Sequence, residues 1–138
     1  MIRYLLDTNV ISELRKTKPH GAVVAWMRTL LPEQIFISAV TIGELQAGVE
    51  LTRKADAAKA AEIDSWLSAL ANSFAVLPMD AACFCEWARL KAGKSLELLE
   101  DAMIAATARV HGLEVATRNE ADFRQLGVPL LNPFQFPP

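Results

Sequence analysis

Five short, largely apolar runs, separated by stretches of helical spacing, constrain this chain more than any other feature. They occupy residues 2–6, 34–38, 74–77, 114–117 and 129–131. A strand with one solvated face alternates apolar and polar side chains. A run that is apolar throughout needs cover on both faces, as in a parallel sheet whose crossover helices lie above and below it. The intervening segments supply those helices. Val23, Met27, Leu30 and Leu31 form one stripe, and Ile63, Trp66, Leu67 and Leu70 form another at i, i+3, i+4 and i+7. A third helix is expected over 80–92 and a fourth over 99–111, with Gly112 placed to close the latter in the left-handed conformation. The expected class is α/β, with a central parallel sheet.

The 138 residues suit one domain spanning 1–138. At that length folding hides about two-thirds of the extended chain's surface. A composition of 52% hydrophobic against 22% charged residues is too apolar for a disordered chain. No apolar run approaches the roughly 18–20 residues of a membrane span, and the first carboxylate, Asp7, comes too early for a secretion signal. Two cysteines, Cys83 and Cys85, give no disulfide framework, so a cytoplasmic protein without a membrane partner is expected. Net charge is −2, from 14 basic and 16 acidic residues, which argues against gripping nucleic acid by bulk positive potential. It leaves room for a local basic patch, or for an acidic site that works through bound cations. The three prolines of the tail 132–138 point to an extended strap on the surface.

In parallel sheets, ligands bind beyond the carboxyl ends of the strands. There the first run meets Asp7-Thr8-Asn9, the second leads into a helix carrying Glu44, and the fourth ends at Thr117-Arg118-Asn119 with Asp122 one turn on. Asp101 lies in the first turn of the helix before the fourth run. Four carboxylates that converge cannot all stay ionised unless cations compensate them. Oxygen-only ligands select hard divalent ions, Mg²⁺ or Mn²⁺. Such an ion holds a scissile phosphate and activates an attacking water, the chemistry of phosphodiester hydrolysis.

Each acid also has a structural reading. Asp7 and Asn9 can cap the following helix, while Thr41-x-x-Glu44 and Asn119-x-x-Asp122 both fit a capping box. Asp101 shares a small apolar stripe with Ile104, Ala105 and Ala108, where an uncompensated carboxylate is costly. Glu44 faces Ala47 and Gly48, small residues that leave room for a ligand. Gly93-Lys94-Ser95 imitates the end of a phosphate-binding loop but lacks its upstream glycine and strand. Cys83, Cys85, Trp26, Trp66 and Trp87 read as packing residues, and His111 as a structural cation at a helix C-terminus. Asp80 reads as a helix N-cap, which counts against a phosphotransfer receiver.

Taken in order, four segments resemble the PIN-domain ribonucleases. Leu5-Leu6-Asp7-Thr8-Asn9 is similar to the family's opening, and Ser38-Ala39-Val40-Thr41-Ile42-Gly43-Glu44-Leu45, with Gly48, to its second motif. Asp101-Ala102-Met103-Ile104-Ala105-Ala106-Thr107-Ala108 resembles the third, and Thr117-Arg118-Asn119-Glu120-Ala121-Asp122-Phe123 the fourth. Within the family the chain looks most like VapC toxins of type II toxin–antitoxin systems. Asp7-Thr8-Asn9-Val10-Ile11-Ser12-Glu13 and the Asn132-Pro133-Phe134 tail resemble the FitB-like branch.

The resemblance implies a three-layer α/β/α fold and an acidic pocket for Mg²⁺ or Mn²⁺. Asp7, Glu44, Asp101 and Asp122 become the catalytic acids, the first three as metal ligands and Asp122 at the fourth place, which some members fill at the position of Asn119. Thr8, Asn9, Thr117 and Asn119 become polar support and Arg118 a phosphate contact; motif alignment selects Asp101 over its neighbour Glu100. The activity implied is endonucleolytic cleavage of structured RNA, tRNA or rRNA, by a metal-activated water with inversion at phosphorus. Implied partners are a VapB-type antitoxin, a second copy of the chain, and operator DNA bound by the toxin–antitoxin assembly. The alternative is a catalytically silent module of the same fold, acting mainly within an antitoxin–DNA complex.

Overall fold

The computed structural model describes residues 1–94 and 98–137. All five expected runs form strands: β1 (Tyr4–Leu6), β2 (Ile35–Ser38), β3 (Ala75–Leu77), β4 (Glu114–Ala116) and β5 (Leu130–Leu131). They pair in the order β3-β2-β1-β4-β5, every pairing parallel. Alternation along each strand then supplies two cores. Tyr4, Leu6, Ile35 and Ile37 point to one face, Leu5, Phe36 and Val115 to the other.

Helices α1 (Thr8–Arg15), α2 (Gly21–Met27), α3 (Ala39–Ala55) and α4 (Ala57–Ser73) cover the first face through Val10, Ile11, Trp26, Val49 and Leu67. Helices α5 (Ala81–Lys91), α6 (Leu99–His111) and α7 (Glu120–Gln125) cover the second through Leu90, Ile104, Ala105 and Phe123. The result is the expected three-layer α/β/α sandwich around a parallel sheet. Caps set the helix starts: Ser38 for α3, Asp56 for α4 and Asp80 for α5 each accept from a backbone N–H. Gly112, at φ +66°, closes α6 as expected.

The chain leaves β1 toward β2 and β3 on one side, then returns to place β4 and β5 on the other. The order therefore reverses between β1 and β4, and the crevice outside their carboxyl ends is where such a sheet binds ligands. Asp7 and Thr117 are the first residues beyond those two ends. Among the described residues no helix is long and apolar enough to cross a membrane.

Three expectations are corrected. Leu30 and Leu31 lie past the end of α2, because Pro32 opens a 3₁₀ turn and holds Leu31 extended. The tail is not a surface strap. Pro133–Gln135 forms a 3₁₀ turn capped by Asn132, Pro133 is buried, and Phe134 and Phe136 pack against the first core. Only Cys83 is buried; Cys85, about 200° further round α5, is exposed. Of the phosphate-loop imitation, Ser95 lies outside the described residues, as does Pro138 of the tail.

Leu5, fully buried in the central strand, tests this packing. Leu5→Ala is expected to lower the unfolding free energy by about 2–5 kcal/mol, read from the urea midpoint at unchanged slope. A loss below about 1 kcal/mol would show that the second core closes around the gap.

Candidate active site

Asp7 occupies a place that few carboxylates tolerate. Its backbone N–H completes the sheet by donating to Ala116 O at 2.9 Å, and its side chain is only 3% exposed. Three donors fix that side chain. The Thr8 N–H meets Oδ1 at 2.8 Å and so caps α1; Asn9 Nδ2 and the Thr117 hydroxyl meet Oδ2 at 3.1 and 2.7 Å. Burial pushes the Asp7 carboxyl above the usual range, the three hydrogen bonds draw it back, and nearby Asp122 adds repulsion.

Thr117 joins the strands' two loops. Its hydroxyl also accepts from the Asn119 N–H at 2.9 Å, while Asn9 Oδ1 accepts from the Arg118 N–H at 3.1 Å. Asn9 is therefore a bridge rather than a cap. On the α3 side, the Thr8 hydroxyl donates to Glu44 Oε1 at 3.2 Å and lies equally far from Thr41 Oγ1. Thr41 sits inside α3, whose cap is Ser38, so the Thr41–Glu44 capping box does not form. The Asn119–Asp122 box does not form either: Asn119 begins α7 without a side-chain cap bond, and Asp122 turns toward Asp101.

Asp101 and Glu44 bear the consequence of this crowding. Burial raises the Asp101 carboxyl to about 6, helped by repulsion from Asp7, Asp122 and Glu100 and by its hydrogen-bonding contact with Asp122. Burial raises Glu44 to about 7, helped by Glu100, whose carboxyl it faces at hydrogen-bonding distance, and by Asp7. Contacts between two carboxyl groups require a shared proton or a cation. Glu100 is thus a fifth member of the cluster, although the motif alignment singles out only its neighbour Asp101. The available signal was its place in the first turn of α6, where two successive residues can line one broad cleft.

The structure brings Asp7, Glu44, Asp101 and Asp122 to one end of the sheet, with Thr8, Asn9 and Thr117 bonded among them. Asn119 contributes its backbone; Arg118 is drawn aside, its guanidinium 3.7 Å over the Phe134 ring. Among the described residues no three His, Cys, Asp or Glu side chains already grip a common point. The donor chemistry nevertheless suits a hard ion that keeps several waters and needs only two or three carboxylates. A surface hollow of about 400 Å³ between α7, β5 and the tail contains none of these acids.

The PIN domain model matches residues 4–129. The chain belongs to the PIN-domain family. This PIN domain is 38% identical over 142 residues to VapC ribonuclease Y4jK of Sinorhizobium fredii, covering 95% of this chain and 97% of the relative. It is 36% identical over 138 residues to Toxin FitB of Neisseria gonorrhoeae, covering 94% and 97%. The crystal structure of FitAcB from that organism superimposes with a TM-score of 0.86 at 35% identity, over 96% of this chain and 99% of that one. A structure of FitAB bound to an IR36 DNA fragment gives 0.74 at 32% identity, over 96% of both chains.

Because Asp101 and Glu44 ionise with more difficulty in the folded PIN domain than in the unfolded chain, the folded state holds more protons between about pH 4 and 7. Stability of the metal-free protein therefore falls as pH rises through that window, and stays low above it. Asp101→Asn removes one repelled charge and lets an amide donate to Asp122. In EDTA at pH 8 it is expected to raise Tm by about 2–4 °C, with the gain shrinking toward pH 4. A destabilised variant at pH 8 would show that Asp101 is held by attraction instead.

Proposed function

We propose that this PIN domain is the toxin of a toxin–antitoxin pair and acts as a Mg²⁺- or Mn²⁺-dependent endoribonuclease on structured RNA such as tRNA or rRNA. One observation carries the reading: carboxylates from β1, α3, α6 and α7 are held against their own repulsion at the switch point of the sheet. A fold gains nothing in stability from that arrangement, so a cation that neutralises it explains why it persists. The names of the relatives, a toxin and a ribonuclease, support the same reading, as does the FitAB–DNA structure for an antitoxin partner and an operator-bound assembly. The face carrying the acids is also where an antitoxin segment would silence the enzyme.

Asp7, Glu44 and Asp101 would hold the ion, with Asp122 orienting its waters. An ion held there would supply Lewis-acid chemistry: charge neutralisation at the scissile phosphate and a lowered pKa for an attacking water. The chain's own contribution is positioning. Three hydrogen bonds leave Asp7 one orientation, and the Thr8 hydroxyl fixes Glu44 relative to it. Thr117 sets the distance between β1 and β4, so the acids reach the phosphate without rearrangement of the backbone. Among the described residues no histidine or lysine stands with these acids to act as a separate base, so proton removal from the water falls to solvent or a carboxylate.

A second reading, a silent binding module, draws on the open spacing of the acids. Cleavage separates the two. With Mg²⁺ or Mn²⁺, the antitoxin-free protein is expected to cut purified total tRNA or rRNA into discrete products, and EDTA to stop it. Asp7→Asn and Asp101→Asn should each cost more than the about 10–100-fold that losing a supporting neighbour such as Thr117 costs. Cutting that survives EDTA or both variants would sink the mechanism. Absence of cutting, together with no divalent-ion heat in calorimetry, would favour the silent module.

A further inference from the structure

A groove of about 330 Å³ runs between α1 and α3, away from the sheet, and opens at one end onto Thr8 and Glu44. One face of α1 lines it with Thr8, Ser12 and Arg15, spaced four and three apart. The facing stripe of α3 presents Glu44, Gly48 and Thr52, with Leu45 beside them and Ile63 of α4 closing the far wall. A Cβ on Gly48 would meet nothing within 4 Å, so the middle of the groove is open. The side chains of Ser12 and Arg15 form no hydrogen bond or ion pair among the described residues.

The two ends differ in charge. At 1.5 Å per residue, Arg15 stands about 10 Å along α1 from Thr8. The groove is thus acidic where it meets the metal-ligand candidates and cationic at the other end. Its length is lined by hydroxyls on an apolar wall. The Thr52 hydroxyl already donates to Gly48 O at 3.0 Å, but a continuous apolar helix would bury Ser12 and Arg15 against nothing that satisfies them. A nucleotide satisfies all three kinds of surface: anionic phosphates at its ends, a 2′-hydroxyl and a base with an apolar face.

Given the nuclease reading above, we propose that the α1–α3 groove is the subsite for the nucleotide flanking the scissile phosphate in single-stranded or looped RNA. Arg15 pairs with the neighbouring phosphate, the Ser12 hydroxyl meets the ribose, and the base lies against Leu45 and Ile63 across the gap that Gly48 leaves. The cleaved phosphate sits at the carboxylate end.

The test compares the full-length protein with Arg15→Ala, Arg15→Lys and Gly48→Leu on bulk tRNA with Mn²⁺, across a series of KCl concentrations. All are exposed helix positions with no buried partner, and circular dichroism melts verify folding. Arg15→Ala is expected to raise the apparent KM about 10-fold with kcat within about twofold, and to flatten the salt slope by about 0.7, the signature of one lost phosphate contact on a single strand. Arg15→Lys should restore the slope. Gly48→Leu should change which phosphates are cut, read by sequencing product ends. Unchanged KM, salt slope and cleavage positions in a wild type that does cut would overturn the subsite alone. The same holds if the variants lose only antitoxin binding. A wild type that cuts no RNA would overturn the nuclease reading, and the subsite with it.

Discussion

The hydrogen bond from the Thr117 hydroxyl to Asp7, 2.7 Å long, spans 110 positions of sequence and joins the first strand to the fourth where they emerge from the sheet. Asp7 ends β1, caps α1 and contributes a buried carboxylate, all with one backbone conformation. Without the Thr117 donor that carboxylate would have lost an essential compensation for its burial, and would protonate or turn away. The register of β1 on β4 matters for the same reason. A slip of one residue would reverse every side chain in β1 and place Leu6 where Asp7 meets its donors.

The remaining acids are tolerated through backbone electrostatics. Asp7 caps α1, Glu100 and Asp101 lie in the first turn of α6, and Asp122 lies in the first turn of α7. Helix N-termini carry partial positive charge, worth about 0.3–1 kcal/mol to an exposed anion beside them. That offsets part of the mutual repulsion but cannot neutralise it, which is why Asp101 and Glu44 hold their protons to about 6 and 7. The same N–H groups suit a phosphate brought in with a cation. Carboxylates and helix termini therefore do complementary work: the first demand positive charge, the second accept the negative charge that accompanies it.

Much of this was legible in the sequence, and the exceptions have physical causes. The apolar runs gave all five strands because a sheet buried on both faces leaves a composition signal independent of its partners. The acids were legible as an ordered set, and Asp80 and Gly112 as caps. The Thr41 box fails because a box needs its hydroxyl at the N-cap, and Ser38, three residues earlier, starts α3 instead; Asn119 does hold the α7 N-cap but makes no side-chain cap bond. Glu100 is not legible beside Asp101 because adjacent residues on a helix lie about 100° apart, and only the tertiary structure reveals that the cleft is wide enough for both. The packing of the tail is hidden in the sequence because its prolines show only what it cannot form, while Phe134 and Phe136, which do the packing, look like any surface aromatics.

Arg118 shows how the tail shapes the chemistry. Its backbone N–H is held by Asn9 and its guanidinium lies 3.7 Å over the Phe134 ring, which in turn stacks edge-on to His20. A cation placed this way is stabilised by the ring. It also steadies the loop after β4, and with it the Thr117 hydroxyl that Asp7 depends on. The arginine nearest the acids in sequence is thus engaged in architecture. On the proposed nuclease reading, a chain of net charge −2 would have to attract a polyanion locally, through helix N-termini, a cation held by the acids and a basic residue further along the groove. Under that reading such a distribution would favour RNA that presents a short flexible segment to the cleft over duplex laid across the surface, because only the former could bring one phosphate to the acids while its neighbour reaches Arg15.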